Sequence, residues 1–432
     1  MGNSIIKHVT INKLWGIKTI SVDFDKHVNI FIGMNGSGKT TFLQLIEATL
    51  LVDLKVFLSI EFEFIKIDFI NSDIQYVCVR KEEKRGECFI NYYFGEAESI
   101  CIPCSEMMIQ HPYKLSWRYS DLLSIVKEKM KNLVNISWLS VNRCDSDFEE
   151  YGRRDFEKFN SLVDIKLDNL VEKLLVYQLQ LESEVNKDSL KFKEEVLSLM
   201  LYNSSFDNLT EQDLEIFEST DTDSMKRDLY KAFNKLGVAK DKYELVQNHI
   251  NKIKESISNL ATLSSESSSQ ISLEDILVLS LINRTMSIIK ISKEHEVNAA
   301  NIFAPLTKFL RCLKDFMPDK TYKLNSNGRG ELIIELSGEK NKEKGINIKS
   351  LSSGEKQLFI LLTESLLQKN TNHIFIADEP ELSLHIGWQR IIIEKILEMN
   401  PNAQIIVATH SPEIAGRFPK NIVNMNSITC YE

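Results

Sequence analysis

A chain of 432 residues with 43% hydrophobic and 26% charged residues has the composition of a globular protein, long enough for two or three domains. Its formal net charge of −9 argues against coating nucleic acid by charge alone, though a local basic groove stays open. Seven scattered cysteines argue against a disulfide scaffold, and no apolar run reaches the length of a bilayer span. With no signal-peptide pattern at the start, the expectation is a cytoplasmic protein with no membrane partner.

The first elements alternate as strands. Ile5 to Leu14 has strand periodicity, and Thr19 to Phe24 can pair with it. Val28 to Ile32 is apolar and β-branched, as a buried strand should be. Gly33 to Thr41 then fits G-x-x-x-x-G-K-[ST], the phosphate-binding P-loop. Helix formers follow from Thr41 to Leu50, so the motif has the strand, loop and helix it needs. Glycines let the backbone fold around a phosphate, because a Cβ would block the approach. The candidate binding residues are Asn35, Gly36, Ser37, Gly38, Lys39, Thr40 and Thr41, at a helix N-terminus that faces an anion. Lys39 is placed to reach the β- and γ-phosphates, and the Thr40 hydroxyl to sit on Mg²⁺.

Phe57 to Ile70 reads as a strand whose phase slips near Phe64-Ile65, which predicts a β-bulge there. Gln75 to Val79 and Glu87 to Phe94 read as strands joined by a charged turn at Arg80 to Arg85. Cys101 and Cys104 form a C-x-x-C, but no second pair completes a zinc site, so two ordinary thiols are expected. Ile136 to Val141 is a short strand that returns the chain to a sheet.

From about 150 to 300 the pattern is helical. Val163, Leu167, Leu170, Leu174, Tyr177 and Leu181 repeat at spacings of four and three. So do Ala239, Tyr243, Val246, Ile250, Ile253, Ile257 and Leu260, which makes two short coiled-coil seams. Between them Thr210 and Asp213 can cap a short helix, and Ser264 to Ser269 is a low-complexity loop. This block is either a sensing arm or a plain helical domain. Pro305 to Pro318 reads as a helix ending in a turn, Leu332 to Leu336 as a strand, and Glu339 to Lys344 as a charged loop. The expected organisation is an N-terminal lobe over 1–145, a helical insertion over 146–300 and a C-terminal lobe over 301–432.

The C-terminal lobe carries further chemistry. Leu351-Ser352-Ser353-Gly354-Glu355 precedes a helical run, Lys356 to Leu367. Ser352 and Gly354 could present backbone donors to a phosphate, though alone such a stretch is a helix cap. His373 to Pro380 is an apolar strand ending in two carboxylates. Asp378 suits Mg²⁺ through its water shell, and Glu379 suits a general base for water. Ile405 to Thr409 is a second buried strand, ending at His410, which can contact the γ-phosphate and position the water.

The stretches GMNGSGKTT, LSSGEKQ, IFIADEPELSLH and ATHSP, in this order, resemble the ATP-binding cassette ATPases of the SMC, RecF and OLD group. The resemblance implies an α/β head built from the two lobes, with an inserted α-helical, short coiled-coil domain. It implies ATP and Mg²⁺ as ligands. Two heads would sandwich ATP, with Lys39, Thr40, Asp378, Glu379 and His410 of one copy facing Ser352 and Gly354 of another. A homodimer or ring follows. Two positions depart from the pattern: Ser353 replaces the usual glycine, and His385 stands where transporter cassettes have Asp. The Q-loop residue is open among Gln75, Gln110 and the Asn142–Arg143 pair. With 22 residues after His410, this chain is not expected to be itself the nuclease, which in OLD enzymes is a TOPRIM domain after the cassette. The chain looks most like the stand-alone ATPase subunits of anti-phage systems of the PARIS or Septu type. In those, an ATPase controls a separate nuclease or toxin effector until a phage protein triggers it. The alternative is a RecF- or SMC-like DNA-binding ATPase in repair, which predicts a basic groove and DNA-stimulated hydrolysis.

Overall fold

Five parallel strands run in the order Ile422–Asn424, Val28–Ile32, Ala403–Ala408, His373–Asp378 and Ile136–Ser140. The computed structural model that shows them describes residues 4–84, 87–96, 98–104, 117–140, 162–201, 221–238, 242–263, 273–324, 332–336 and 346–431. The Thr210–Asp213 cap, Ala239, the Ser264–Ser269 and Glu339–Lys344 loops, and the Q-loop candidates Gln110, Asn142 and Arg143 lie outside these residues. Strands of a parallel sheet are covered on both faces and read as continuous apolar runs. Ala403–Ala408 is buried at every position. Gln404 is its polar exception, and it is satisfied: its side chain bonds both the N–H and the carbonyl of Ile6, at 2.8 Å each, and the Asp25 carbonyl at 2.9 Å.

Ile6 belongs to a second, antiparallel sheet of seven strands. Its order is Thr429–Tyr431, Lys18–Asp23, Ile5–Leu14, Phe64–Ile70, Tyr76–Lys84, Glu87–Phe94 and Glu98–Cys104. The helix Lys39–Leu51 shares one core with both sheets. Its Phe42, Leu45 and Ile46 join Ile11, Ile65 and Ile67 of the antiparallel sheet and Ile374, Ile376 and Ile406 of the parallel one. A helix that is apolar on nearly all sides belongs in such a position. Truncating the fully buried Phe42 to alanine costs about 3–5 kcal/mol and would loosen the helix that carries Lys39.

Three local expectations are corrected. Leu54–Ser59 is a helix, capped by the Asp53 side chain accepting from Lys55 N at 2.9 Å, so the strand expected from Phe57 begins only at Phe64. Short apolar runs do not separate helix from strand, and here the cap decides. The bulge expected at Phe64-Ile65 is absent from a regular pairing with Tyr76–Arg80, and the register shifts instead between Ile6 and His8. The charged run Arg80–Lys84 is no turn: it pairs residue by residue with Glu87–Asn91.

The chain divides into two compact units, residues 1–177 with 306–432, and residues 178–305. The first turns of the helix Leu162–Ser198 lie with the larger unit for a visible reason. Asp164 pairs with Lys356 at 2.7 Å, Lys166 with Glu364 at 3.1 Å, and Asp168 with Lys349 at 2.8 Å, around the helix Ser353–Leu367 and its approach. The seam residues Leu167, Leu170, Leu174, Tyr177 and Leu181 are buried. At the other boundary, Leu273–Phe316 is one helix that continues through Pro305, so the expected break near residue 300 falls inside it. The strand Leu332–Leu336 pairs with Lys320–Leu324 in a small ribbon.

The smaller unit is helical. Met225 and Leu229 of Thr222–Lys235, Val246, Ile250 and Ile253 of Tyr243–Leu263, and Val278, Ile282 and Ile289 of the long helix form its core. Phe192 stacks on His295 with ring centroids 5.2 Å apart, and His295 Nδ1 bonds the Asp188 carboxylate. Among the described residues no helix is long and apolar enough to cross a membrane.

Candidate active site

The parallel register brings three loops to one sheet edge. Asp378 lies beside Ala408, and Ala408 beside Phe31. Two backbone bonds continue the alignment past the strand ends: Glu379 N to Ala408 O at 2.8 Å, and Thr409 N to Phe31 O at 3.1 Å. Gly33, Glu379 and His410 therefore leave the sheet together at its carboxyl edge, where parallel sheets bind ligands.

The loop after Ile32 is shaped by its glycines. Gly36 and Gly38 have φ of 79° and 95°, a region costly for residues with a Cβ, and nothing lies within 4 Å of a Cβ built on Gly36. A Cβ on Gly33 would lie 2.7 Å from Ser37 Oγ. That hydroxyl is buried without a partner. Asn35 and Gly36 are exposed, Thr41 half-buried. The helix Lys39–Leu51 starts with no side-chain cap and no acidic residue in its first turn, so its amide donors face outward to an anion. Lys39 Nζ lies inside the loop, donating to the Gly33 carbonyl at 2.9 Å and the Met34 carbonyl at 3.3 Å. Burial lowers its pKa from the ordinary lysine value, against the opposing pull of Glu379, Asp378 and Glu381.

The Thr40 hydroxyl donates to Asp378 Oδ1 at 3.3 Å. A hydroxyl and a carboxylate at this separation form a hard-oxygen pair suited to Mg²⁺, which takes few protein ligands and keeps waters and phosphate oxygens for the rest. The open glycine loop, the inward ammonium and this oxygen pair fit a nucleoside triphosphate with Mg²⁺. Glu379 follows with φ of 50°, an unusual backbone for a side chain of this size, held by its N–H bond to Ala408. His410 Nε2 stands 3.9 Å from Glu379 Oε1, and the two side chains are 41% and 37% exposed. They open on a cleft of about 380 Å³ that Glu381, Leu382, Ile386, Gln389 and Ser411 also line.

The LSSGE stretch is a capping box. Ser352 Oγ accepts from Glu355 N at 3.4 Å, and Glu355 Oε2 accepts from Ser352 N at 3.0 Å. The Lys320 ammonium holds the other oxygen of Glu355. Gly354 is buried, and a Cβ on it would lie 2.3 Å from the Ser383 carbonyl. Gln357 Nε2 donates to the Pro380 carbonyl at 2.9 Å. This stretch thus packs on the turn after Glu379 of its own chain. His385 caps Ile386–Gln389, with Nδ1 accepting from Gly387 N at 3.1 Å. An Asp could make the same cap, which accounts for the exchange locally. Among the described residues no three His, Cys, Asp or Glu side chains cluster to hold a metal on their own.

A family profile described as AAA ATPase domain matches residues 5–415. The chain belongs to the AAA ATPase domain family. It is also similar to the Retron Vc95 probable ATPase of Vibrio cholerae serotype O1 biovar El Tor, 38% identical over 78 residues, or 16% of this chain and 15% of that one. The Retron Ec83 probable ATPase of Escherichia coli is 34% identical over 80 residues, again 16% of this chain and 15% of that one. The match therefore spans 15% of the length of either relative. Among solved structures, the Smc head domain of Pyrococcus furiosus with an extended coiled coil, bound to the C-terminal domain of ScpA, aligns with TM-score 0.44 at 15% identity, over 99% of this chain and 96% of that one. The Smc head domain of Pyrococcus yayanosii with a coiled coil and joint aligns with TM-score 0.40 at 16% identity, over 98% and 95%.

In this AAA-family ATPase two features near the site have no motif to announce them. Trp15, at the end of the strand Ile5–Leu14 with φ of 55°, lies against Gly38: a Cβ there would meet the indole at 3.1 Å. The residue is 37% exposed, with Lys18 Nζ 4.6 Å from its ring centroid. The other feature is the side chain of Glu381, which bonds across to Thr409, His410 and Ser411. Contacts between residues so far apart in sequence leave no local pattern to read.

Proposed function

We propose that the chain binds ATP with Mg²⁺ and hydrolyses it between two copies of itself, and that this cycle senses a trigger and controls a separate nuclease or toxin effector in anti-phage defence. The observation that carries the hydrolytic part is the convergence of Lys39, Thr40, Asp378, Glu379 and His410 on one sheet edge. Glu379 acts as general base: it takes a proton from water as the water oxygen bonds to the γ-phosphorus and the bond to the β-phosphate oxygen breaks. The 3.9 Å between Glu379 and His410 lets both groups hold one water. Lys39 neutralises charge on the phosphate oxygens. Thr40 and Asp378 would hold Mg²⁺, which supplies charge neutralisation on the β- and γ-phosphates.

Joining two copies is supported by Gly354, which packs on Ser383 of its own chain and leaves the exposed Ser352 end of its helix for another copy's phosphate. The helical unit 178–305 would then be the arm that meets the trigger or effector. The likeness to retron ATPases supports a defence role, and a cytoplasmic location goes with it.

The test is steady-state ATP hydrolysis by the purified chain, with and without duplex DNA. A low rate indifferent to DNA is expected of a chain that waits for a protein trigger. Stimulation of several-fold by DNA overturns the defence reading in favour of a RecF- or SMC-like DNA-binding ATPase in repair.

A further inference from the structure

One oxygen of Glu381 gathers three donors from the end of the neighbouring strand. Oε1 accepts the Thr409 hydroxyl at 2.6 Å, the His410 N–H at 2.8 Å and the Ser411 N–H at 3.1 Å. Gln389 grips the same turn. Its Nε2 donates to the Leu384 carbonyl at 2.9 Å, and its Oε1 accepts the Ser411 hydroxyl at 2.7 Å. Bonds to an ionised acceptor are roughly twice as strong as neutral ones. Without the carboxylate, two backbone N–H groups and a hydroxyl lose an acceptor, and the turn has reason to rearrange. His410 rides on that turn, opposite Glu379.

We propose that Glu381 is a positioning residue for hydrolysis: it fixes the Thr409–Ser411 turn and thereby sets the His410 imidazole opposite Glu379. The inference rests on the ATPase reading for its effect on rate, and on geometry alone for its effect on His410. The second oxygen, Oε2, is buried without a partner, so the whole hydrogen-bonding capacity in use is directed at this turn. Glu381→Gln keeps an acceptor oxygen and removes the charge, whereas Glu381→Ala removes both.

The experiment combines turnover, nucleotide affinity and the NMR spectrum of the full chain labelled at its eight histidines, with the His410 signal assigned through His410→Ala. Glu381→Ala is expected to lower kcat about tenfold or more while the ATP Kd stays within about twofold, since misplacement by a fraction of an ångström acts on the chemical step. Glu381→Gln is expected to retain most of the rate. The double variant with His410→Ala should be no slower than the slower single variant, because one residue acts through the other. The His410 resonance should move in Glu381→Ala and stay in Glu381→Gln. An unmoved resonance in Glu381→Ala, or rate losses that multiply in the double variant, overturns the proposal. If the parent chain shows no turnover, the hydrolytic reading fails, and the histidine spectrum still decides the placement of His410. Should Glu381→Ala not fold, Thr409→Val removes one of the three donors, and the same resonance should move.

Discussion

The Thr40 hydroxyl donates to Asp378 Oδ1 at 3.3 Å, although the two residues are 338 positions apart. One stands at the first turn of the P-loop helix and the other at the end of the strand His373–Asp378. The core that the helix shares with both sheets makes the meeting possible. Thr40→Val should raise the Mg²⁺ concentration for half-maximal ATPase activity by about tenfold or more, since even outer-shell losses at metal sites reach that size. A magnesium titration of the rate at saturating ATP checks it.

Lys39→Ala should lower ATP affinity by more than about tenfold, because charge-assisted bonds to phosphate are the strong ones in such a loop. Equilibrium titration with a fluorescent ATP analogue reads this directly. The inward-turned ammonium of Lys39 has no substitute nearby among the loop's side chains, Asn35, Ser37, Thr40 and Thr41.

Trp15 offers a partly exposed indole against Gly38, beside the phosphate loop. A base stacked on an aromatic ring gains about 1–3 kcal/mol, so Trp15→Ala should raise the KM for ATP roughly 5- to 150-fold. Trp15→Phe should recover most of the loss. Binding of inorganic triphosphate, which has no base, should be unchanged in both variants.

Gly354→Ala sets two effects against each other. Alanine in place of a helical glycine favours the helix by about 1 kcal/mol. Its Cβ would however lie 2.3 Å from the Ser383 carbonyl, a backbone atom that cannot swing away. Overpacking of this kind costs about 1–3 kcal/mol, so the clash outweighs the propensity. Thermal unfolding should show net destabilisation, and turnover should fall because Ser383 belongs to the turn that follows Glu379.

His373 begins the strand His373–Asp378 with Nε2 2.7 Å from Ser137 Oγ, and burial lowers its pKa from 6.5 to about 4. The unfolded chain therefore binds a proton between these values that the folded chain refuses. Stability from this group is complete above pH 6.5 and is lost as pH falls towards 4. From pH 7 to pH 5 the loss is about 2 kcal/mol. Denaturant unfolding at the two pH values checks it, and His373→Gln should flatten the difference by that amount.

Much of the site is legible in the sequence because its chemistry is local. The glycines of Gly33–Thr41 follow one strand, the carboxylates Asp378 and Glu379 end another, and His410 ends a third. Ser352 and Glu355 sit at the spacing that lets each cap the other. What escapes is what depends on distant partners. Glu381 matters through Thr409–Ser411, and Trp15 through Gly38. In the fold, Leu54–Ser59 is a helix because Asp53 caps it, and its apolar run alone points equally to a strand. The helix through Pro305 is misread for a related reason. A proline costs a helix interior about 3 kcal/mol, and burial of Leu306, Phe309 and Leu313 just beyond it outweighs that cost.

The central claim is that Glu379 drives ATP hydrolysis in a site closed by a second copy. The most direct measurement is single-turnover hydrolysis by the parent chain and Glu379→Gln, with the mass of each followed in ATP and Mg²⁺. The account predicts that Glu379→Gln binds ATP, hydrolyses it about 10²- to 10⁴-fold more slowly, and accumulates as an ATP-dependent dimer or ring. Hydrolysis by Glu379→Gln at the parental rate, or its persistence as a monomer with ATP bound, would contradict it.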